Sequence, residues 1–339
     1  MKVAFVTRGG RFHGLGHVTR CVTLARHLKA SGIEPFFILE DYPEGIKYTK
    51  LTGFKFSTIK KTATIKEKAE KIKSICSKSG ISLIYADFYR MPTEYIRLLK
   101  KFSDIIAFTQ LDFINMPASA VVNHCIAFDN ITKKNNYGVK CYLGPKYLPM
   151  DPIYAKLHKK RRKINDVSKI LITMGGEDRE GLAIKALGAL RSIEGVEIAV
   201  VIGHAFRRTE SLNGFLKATD RFRILSDLPQ DEMAKTIWEA DLCLTAAGNT
   251  LYEASCLGVP TLVLSEAYHQ FKIAEIFSSK SLSVHLGYGK HVSEKTILSG
   301  VLSLMKNNSL RKSMCVKGRK ANDGGGAGRI VKIIEGVLS

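Results

Sequence analysis

The chain has 339 residues, 45% of them hydrophobic and 9% aromatic, and a formal net charge of +21. This length accommodates two domains of ordinary size, and the hydrophobic content excludes an intrinsically disordered chain. No apolar run approaches the roughly 20 residues needed to span a bilayer, so we expect a cytoplasmic protein, at most peripheral at the inner face of the membrane. Seven scattered cysteines without a C-x-x-C pair predict buried or free thiols rather than a zinc site or a disulfide framework.

The N-terminal segment carries a first candidate site. Lys2–Thr7 is a short apolar run that predicts a strand rather than a secretory signal. A glycine loop containing Gly14 and Gly16 follows, and from His17 onward apolar residues recur at the three- and four-residue spacing of a helix. His17 would then lie at a helix start beside the carboxyl ends of parallel strands, where open α/β folds bind ligands. This placement predicts a functional histidine.

The positive charge is concentrated in the first half of the chain. Residues 1–165 contain 30 Lys and Arg against 12 Asp and Glu, a net +18, whereas residues 166–339 contain 22 against 19, a net +3. Part of the excess lies on a predicted helix, Thr64–Ser79, where lysines surround an apolar stripe. Such a field attracts anions, so we expect an anionic membrane surface or a lipid-linked or phosphorylated acceptor as partner. Nucleic acid is not expected, because no aromatic residues are interleaved with these lysines.

Strand and helix signals alternate through the whole chain, which predicts an α/β protein with two parallel sheets wrapped by helices. Residues 1–150 should form the first domain and residues 167–322 the second. The basic segment 151–166 is expected to be a solvated linker rather than a targeting or nucleic-acid tract. Residues 323–339 should form a tail with a final helix. Strands are predicted at Lys2–Thr7, Pro35–Leu39, Leu83–Asp87, Ile105–Phe108, Ala120–Ile126, Lys169–Met174, Glu197–Ile202, Phe222–Leu225, Asp241–Thr245 and Pro260–Ser265.

A turn in the second half predicts a nucleotide site. The strand ending at Thr245 is followed by small residues and by the start of a helix, whose unpaired N–H groups attract phosphate. Gly248 lets the backbone approach an anion, and Asn249 and Thr250 add side-chain donors. Glu253, one helical turn further on, can accept from the two hydroxyls of a ribose. The alternative is an ordinary strand-to-helix turn with a capping residue.

Other loops at the ends of predicted strands in the second half add further candidates for ligand binding. No Asp-x-Asp motif is present, so we expect neither a metal nor a separate cofactor. The candidates are Gly175, Gly176, Gly203, His269 and Gln270.

Several of these segments resemble the two-Rossmann-domain glycosyltransferase class known as GT-B, over nearly the whole chain. Within this class, the chain is similar to the family that contains the nucleotide-sugar hydrolase of the pseudaminic acid pathway and spore-coat polysaccharide proteins. It is more distantly similar to the transferase that adds N-acetylglucosamine to a peptidoglycan lipid precursor. The matching segments are Gly14–Ala25, Leu143–Tyr147, Met174–Asp178, Ala240–Asp241, Ala246–Glu253 and Gly258–Pro260.

The resemblance implies two domains facing across a cleft, with a UDP-sugar as substrate in the C-terminal domain. A helix start can stabilise the charge on the departing diphosphate without a metal. His17 would act as a general base on the acceptor or as a donor to the diphosphate, and Arg20 would be a helix-face residue pairing with a neighbouring domain. The other implied roles are pyrophosphate binding by Gly248, Asn249 and Thr250, ribose binding by Glu253, binding of donor-sugar hydroxyls by Gln270, and a uracil border near Leu228 and Met233.

Three segments depart from the hydrolase pattern. Thr7–Gly10 replaces an Arg-x-Asp, Gln110–Phe113 replaces a paired Asp-Asp-Leu, and Tyr268–Gln270 replaces an Asp-Asn-Gln. These changes argue against the hydrolase's own substrate and against water as acceptor. Because a hydrolase of a small soluble substrate has no need of a domain with a net charge of +18, we expect a transferase that moves an N-acetylated hexose to an acceptor held by the basic N-terminal domain, in cell-surface glycan or polysaccharide biosynthesis. A hydrolase with water as acceptor is the main alternative. A non-catalytic protein that binds nucleotide sugars or polyanions is the second alternative.

Overall fold

The chain forms two structural units and crosses between them twice, after Met150 and after Gly324. Unit 1 comprises Met1–Met150 with Gly325–Ser339, and unit 2 comprises Asp151–Gly324. The computed structural model describes all residues except 11–13, 89–90, 204–205, 207–211 and 213–220.

Unit 1 is built on a mostly parallel sheet whose central strands are buried on both faces, which is why they read as continuous apolar runs. Its strands are β1 (Lys2–Thr7), β2 (Glu34–Glu40), β3 (Phe56–Ile59), β4 (Leu83–Asp87), β5 (Asp104–Thr109), β6 (Ala120–Asn123), β7 (Ile131–Lys134) and β8 (Lys140–Leu143). The sheet order is β3-β2-β1-β4-β5-β6-β8-β7, with β7 and β8 antiparallel. The order therefore reverses between β1 and β4, the position at which open sheets bind ligands.

Helices α1 (Gly16–Ala30), α2 (Pro43–Leu51), α3 (Ile65–Ser79) and α4 (Thr93–Lys100) accompany this sheet. The bounds of α3 follow from its sequence. A capping box opens the helix, with the Glu67 N–H donating to the Thr64 hydroxyl and the Thr64 N–H donating to the Glu67 carboxylate. Gly80 ends it in the left-handed conformation, with φ of 65°.

Unit 1 is basic, as the sequence predicts, but its net charge is smaller than that of residues 1–165. Unit 1 contains 26 Lys and Arg against 12 Asp and Glu, a net +14 rather than +18, because the basic run 159–163 belongs to unit 2. On α3 the exposed lysines are Lys66, Lys71, Lys73 and Lys78. Lys68 differs from them, because it is half-buried with its Nζ 2.7 Å from Glu40 Oε1.

Unit 2 repeats the same sheet order with parallel strands throughout. Its strands are β9 (Lys169–Thr173), β10 (Glu197–Ile202), β11 (Phe222–Ser226), β12 (Leu242–Thr245), β13 (Thr261–Ser265) and β14 (Val284–Tyr288), in the order β11-β10-β9-β12-β13-β14. Its helices are α5 (Pro152–His158), α6 (Leu182–Leu190), α7 (Gln230–Glu239), α8 (Asn249–Leu257), α9 (Tyr268–Ser279), α10 (Glu294–Lys306) and α11 (Asn308–Ala321). Here the order reverses between β9 and β12, so the loops after these two strands mark the expected ligand position.

The last helix, α12 (Gly326–Leu338), packs against α1 in unit 1 and does not form the separate tail expected for residues 323–339. Its first residue, Gly326, allows the chain to pass close to Leu148 as it re-enters unit 1. A Cβ on Gly326 would collide with the backbone of Leu148, so only glycine fits. Among the described helices, none combines the length and the apolar character needed to cross a membrane. All seven cysteines are free and buried, as their scatter predicts.

The segment 151–166 is not a solvated linker. Its first part is α5, which packs against α8, and its basic run contains a residue with a structural role. Arg162 donates to the carbonyls of Trp238 (2.7 Å) and Ala240 at the C-terminus of α7, and its guanidinium lies 5.3 Å from the Trp238 ring centroid. A cation at this end of a helix satisfies carbonyls that have no intrahelical partner. Arg161, the neighbouring residue, is exposed.

Arg162→Ala should therefore destabilise unit 2 by about 2–3 kcal/mol, because buried carbonyls lose a charged donor. The matched change Arg161→Ala should stay within about 0.5 kcal/mol of the wild type. Urea unfolding followed by the fluorescence of Trp238 measures both. An effect of Arg162→Ala as small as that of Arg161→Ala would show that the basic run is a solvated surface.

Candidate active site

Asp87, the last residue of β4, is the centre of a buried polar cluster at the switch point of unit 1. Its carbonyl accepts from the hydroxyl of Thr7, which ends the neighbouring strand β1. Its carboxylate accepts from Arg20 twice, Nε to Oδ2 and Nη2 to Oδ1, both at 2.6 Å. Burial alone would raise the pKa of Asp87, but the charges and hydrogen bonds of Arg20 and His17 hold it at about 2. Asp87 is therefore ionised and can only accept hydrogen bonds.

His17, near the start of α1, is oriented by this carboxylate. Its Nδ1 lies 2.7 Å from Asp87 Oδ1 and 2.6 Å from Arg20 Nη2. The ionised carboxylate can only accept and the guanidinium can only donate, so these two contacts favour opposite tautomers of the imidazole. When Nδ1 carries its proton toward Asp87, Nε2 is left as an acceptor. Burial, and then the charge of Arg20, lower the pKa of His17 in spite of Asp87. At neutral pH the imidazole is thus uncharged, and in the tautomer with Nδ1 protonated its Nε2 is the free acceptor that a general base requires.

The expected role of Arg20 is wrong. Arg20 is 4% exposed and pairs with Asp87 of its own unit rather than with a neighbouring domain. Its guanidinium lies 5.0 Å from the centroid of the Phe108 ring, and the Gln110 amide oxygen can accept from its Nη2 and Nη1 at 3.0 and 3.3 Å. The reason is its place one turn after His17, on the face of α1 that covers the sheet.

The structure places the predicted glycines of this loop next to His17. Gly14 has φ of 64°, which favours glycine, and its carbonyl accepts from the Gly10 N–H at 3.1 Å. Gly16 is the first residue of α1. Sequence reasoning does not single out Asp87, although an acidic residue that ends an otherwise apolar strand is a signal that could have identified it.

In unit 2 the turn after β12 has the form that the sequence predicts. Helix α8 begins after Gly248, and no side chain caps its first turn. A Cβ on Gly248 would meet no atom within 4 Å among the described residues, so the space beside the turn is open. The first N–H groups of a helix have no partner within it. The backbone of Asn249 and Thr250 can therefore receive an anion from this side.

Glu253 is half-buried one turn into α8, and the hydroxyls of Tyr154 and Thr250 lie next to its carboxylate. Burial raises the pKa of Glu253 to about 7, and the two hydrogen bonds oppose this rise. Thr250 offers a ligand its backbone N–H, and its hydroxyl lies on the side of Glu253. Tyr154 lies on α5, in the segment expected to be a linker, so sequence reasoning misses it.

Three glycines meet at the adjacent loops of the same sheet edge. Gly175 and Gly176 follow β9, and Gly203 follows β10. A Cβ on Gly203 would lie 2.6 Å from the Cα of Gly176, so the absence of a side chain lets the two loops touch. Because Thr173 of β9 pairs in register with Thr245 of β12, the loop of Gly175 leaves the sheet beside the α8 turn.

The loop after β13 contains the remaining candidates. Gln270 Oε1 accepts from the Glu266 N–H at 2.9 Å, so only its amide NH₂ remains to donate to a ligand. His269 is half-buried in the first turn of α9. Met233 lies in the first turn of α7, which follows the edge strand β11. Two strands separate β11 from β12 in the sheet, and α7, which carries Met233, packs against α8 and β9.

A carboxyl pair joins the β9 and β13 loops. Asp178 is buried, with φ of 46°, and accepts from the N–H groups of Leu182 (2.6 Å) and Ala183 (2.9 Å) at the start of α6. Glu266 hydrogen-bonds to Asp178, and burial followed by the charge of Asp178 raises the pKa of Glu266 to about 8. Glu266 is therefore the protonated member, which donates to Asp178. Among the described residues, no group of three or more His, Cys, Asp or Glu side chains could hold a metal ion.

Comparison with known proteins identifies the fold. No protein-family model matches the chain. Over 99% of its length it is 27% identical to the spore coat polysaccharide biosynthesis protein SpsG of Bacillus subtilis strain 168, of which it covers 98%. The predicted resemblance to spore-coat polysaccharide proteins is thus confirmed.

Two solved structures show the same architecture. Acinetobacter baumannii MurG matches with a TM-score of 0.70 and 16% identity over 99% of each chain. The spinosyn rhamnosyltransferase SpnG complexed with thymidine diphosphate matches with a TM-score of 0.68 and 13% identity over all of both chains. The predicted fold class is confirmed. Unit 1 and unit 2 each consist of a mostly parallel sheet with helices, as in the GT-B glycosyltransferases.

The Asp178–Glu266 pair predicts a pH-dependent stability. The folded state holds the Glu266 pKa at about 8, above the ordinary value near 4.5, so folding retains a proton that the unfolded chain releases. Its stabilisation is complete below about pH 4.5 and is lost progressively up to about pH 8. The Glu266→Gln variant mimics the protonated form. The Tm of the wild type should fall relative to that of this variant between about pH 4.5 and pH 8, and above about pH 8 the two curves of Tm against pH should be parallel. Calorimetric scans from pH 5 to pH 9 measure this, and parallel curves throughout would show that Glu266 is ionised in the fold.

Proposed function

We propose that the chain is a glycosyltransferase that moves an N-acetylated hexose from a UDP-sugar to an acceptor bound by unit 1, in cell-surface glycan or polysaccharide biosynthesis. The observation that carries this proposal is the uncapped start of α8 with Glu253 one turn further on, at the switch point of unit 2. The relative named for spore coat polysaccharide biosynthesis supports the class of product. The neighbour solved with thymidine diphosphate supports a nucleoside diphosphate as ligand.

A ribonucleotide suits the residues of this turn. The backbone N–H groups of Asn249 and Thr250 would receive the diphosphate, with Gly248 allowing its close approach. The Glu253 carboxylate would accept from the 2′- and 3′-hydroxyls of the ribose, using lone pairs that Tyr154 and Thr250 leave available. A deoxyribose lacks the 2′-hydroxyl, so this carboxylate favours UDP over thymidine diphosphate.

Transfer requires that the anomeric C–O bond to the diphosphate breaks and that its electron pair leaves with the phosphate. Negative charge therefore grows on the leaving group. The positive end of α8 and the N–H groups of Asn249 and Thr250 are placed to stabilise this charge. We propose that they act in place of the metal ion that an Asp-x-Asp motif would bind, since the sequence has no such motif.

The second half of the reaction needs a base for the acceptor hydroxyl. His17 would take this proton on Nε2 as the acceptor oxygen forms the new bond to the anomeric carbon. Asp87 would then stabilise the imidazolium through its contact with Nδ1. Arg20 keeps Asp87 ionised and in place, so it acts through the carboxylate rather than on the substrate.

The charge of unit 1 supports an anionic acceptor. Its net charge of +14 rests on 26 basic against 12 acidic residues, and the exposed lysines of α3 carry part of it. A soluble uncharged acceptor, or water, has no need of such a field. We therefore propose a lipid-linked or phosphorylated acceptor, presented at an anionic membrane surface.

His17→Ala should lower turnover by roughly 10²–10⁴, the usual effect of losing a general base. The affinity for UDP should stay unchanged, because the nucleotide is proposed to bind unit 2. A matched control is His27→Ala, on the same helix, whose Nδ1 lies 3.0 Å from the Thr23 carbonyl oxygen. UDP release from a panel of UDP-sugars and calorimetric titration with UDP measure the two quantities. Turnover of His17→Ala near the wild-type rate would refute the base role.

Charge reversal on α3 tests the acceptor. The triple change of Lys66, Lys71 and Lys73 to Glu should weaken sedimentation with phosphatidylglycerol vesicles by roughly 10²-fold or more at low salt, at about 1 kcal/mol per lysine. Transfer should fall with it while UDP affinity stays unchanged. The matched control reverses three exposed lysines of α11 in unit 2 with the same change in net charge, and should sediment like the wild type. These control positions are Lys312, Lys317 and Lys320.

The same assay separates the alternatives. Fast UDP release from a donor without acceptor, insensitive to the α3 reversals, would mean that water is the acceptor and that the chain is a hydrolase. UDP-sugar binding without turnover in membrane extract would mean a non-catalytic binding protein.

A further inference from the structure

Helix α5 is the first element of unit 2, and it packs against α8, the helix whose start is the proposed nucleotide site. The Asp151 carboxylate caps it by accepting from the Ile153 N–H at 3.1 Å. At its other end, His158 Nδ1 lies 2.8 Å from the Cys256 carbonyl oxygen of α8. The second chain crossing packs on the same helix, because a Cβ on Gly324 would lie 2.7 Å from the backbone N of Ala155. Both crossings between the units therefore meet at α5.

Tyr154 is the residue of α5 that contacts the proposed ribose site. Its side chain is large and only 1% exposed, so its hydroxyl needs an internal partner. That partner is the Glu253 carboxylate. Burial and then the charge of Glu253 raise the pKa of Tyr154 well above its usual range. The phenol therefore stays protonated and can donate permanently to Glu253.

The hydroxyl groups around Glu253 influence the orientation of its carboxylate. The Tyr154 hydroxyl approaches it from α5 and the Thr250 hydroxyl from the preceding turn of α8, so both neighbours of the carboxylate are hydroxyl groups that can donate to it. The thiols of Cys243 and Cys256 are the other titratable groups coupled to it, and burial raises the pKa of both above the neutral range. They stay uncharged in any experiment near pH 7. Loss of the phenol would thus free the carboxylate to rotate and would remove a donor that favours its ionised form.

We propose that Tyr154 is a positioning residue for the nucleotide: its hydroxyl orients the Glu253 carboxylate to accept from the 2′- and 3′-hydroxyls of a ribose. Nucleotide recognition then begins in the segment that joins the two units. This inference rests on the proposed function, because it requires a ribonucleotide at the start of α8.

The test is Tyr154→Phe, which removes one oxygen and keeps the ring. The affinity for UDP at pH 7 should fall on the order of tenfold, the value of a hydrogen bond to a charged group. The pH midpoint of UDP binding should move upward, because Glu253 loses a donor to its ionised form. Affinity for a UDP analogue lacking both ribose hydroxyls should stay at the wild-type value. In a Glu253→Gln background, Tyr154→Phe should cause no further loss of UDP affinity.

A matched control is Tyr252→Phe, a buried tyrosine on α8 that packs edge-on against Phe277 with ring centroids 4.9 Å apart. It should leave the affinities for UDP and for the analogue unchanged. Equal losses for UDP and the analogue in Tyr154→Phe would overturn the inference, because a general packing defect does not distinguish them. Unchanged UDP affinity and pH profile would also overturn it. If wild-type protein binds UDP no better than the analogue, the ribose role of Glu253 fails, and with it both the proposed nucleotide site and this inference.

Discussion

The buried pair of Asp87 and Arg20 is the interaction on which the unit 1 site depends. Two charged groups lie out of water at the switch point of the sheet, joined by two hydrogen bonds of 2.6 Å. Removing either partner would leave an uncompensated buried charge, which typically costs about 3–5 kcal/mol. The same pair contacts Nδ1 of His17, the carboxylate as an acceptor and the guanidinium as a donor, so it governs which ring nitrogen carries the proton. Stability and chemistry therefore rest on one contact.

The candidate site in unit 2 differs from the one in unit 1, because the backbone N–H groups at its centre are not paired with side chains. The first N–H groups of α8 have no side-chain cap and lie next to the open space beside Gly248. Such donors are a ready site for a phosphate. The carboxylate of Glu253 lies one turn further on, beside the hydroxyls of Tyr154 and Thr250. In the proposed function one unit orients a base and the other receives an anion, and each of these candidate sites lies where the strand order of its sheet reverses.

Much of this architecture can be predicted from local patterns. The strands at Lys2–Thr7, Leu83–Asp87 and Glu197–Ile202 have the predicted bounds, because each is a continuous apolar run ended by polar residues or glycine. Helix α3 is also predictable, since a capping Thr opens it and a glycine closes it. The antiparallel strand Ile131–Lys134 is not, because all four of its residues are exposed and show no alternation.

The parts of the site that escape prediction are those made by distant residues. Asp87 is separated by 67 positions from Arg20, and no local periodicity reveals such a pairing. Tyr154 looks like part of a basic linker, and its hydroxyl comes to lie beside Glu253 only because α5 packs against α8. From its position in the helical pattern, Arg20 is expected to be exposed. Its burial follows only from its pairing with Asp87 at the end of β4.

A crystal structure of the protein with UDP tests the central claim most directly. We expect the diphosphate on the backbone N–H groups of Asn249 and Thr250, and both ribose hydroxyls within hydrogen-bond distance of the Glu253 carboxylate. Density for UDP elsewhere, or a ribose turned away from Glu253, would contradict the nucleotide site from which the proposed transfer reaction follows.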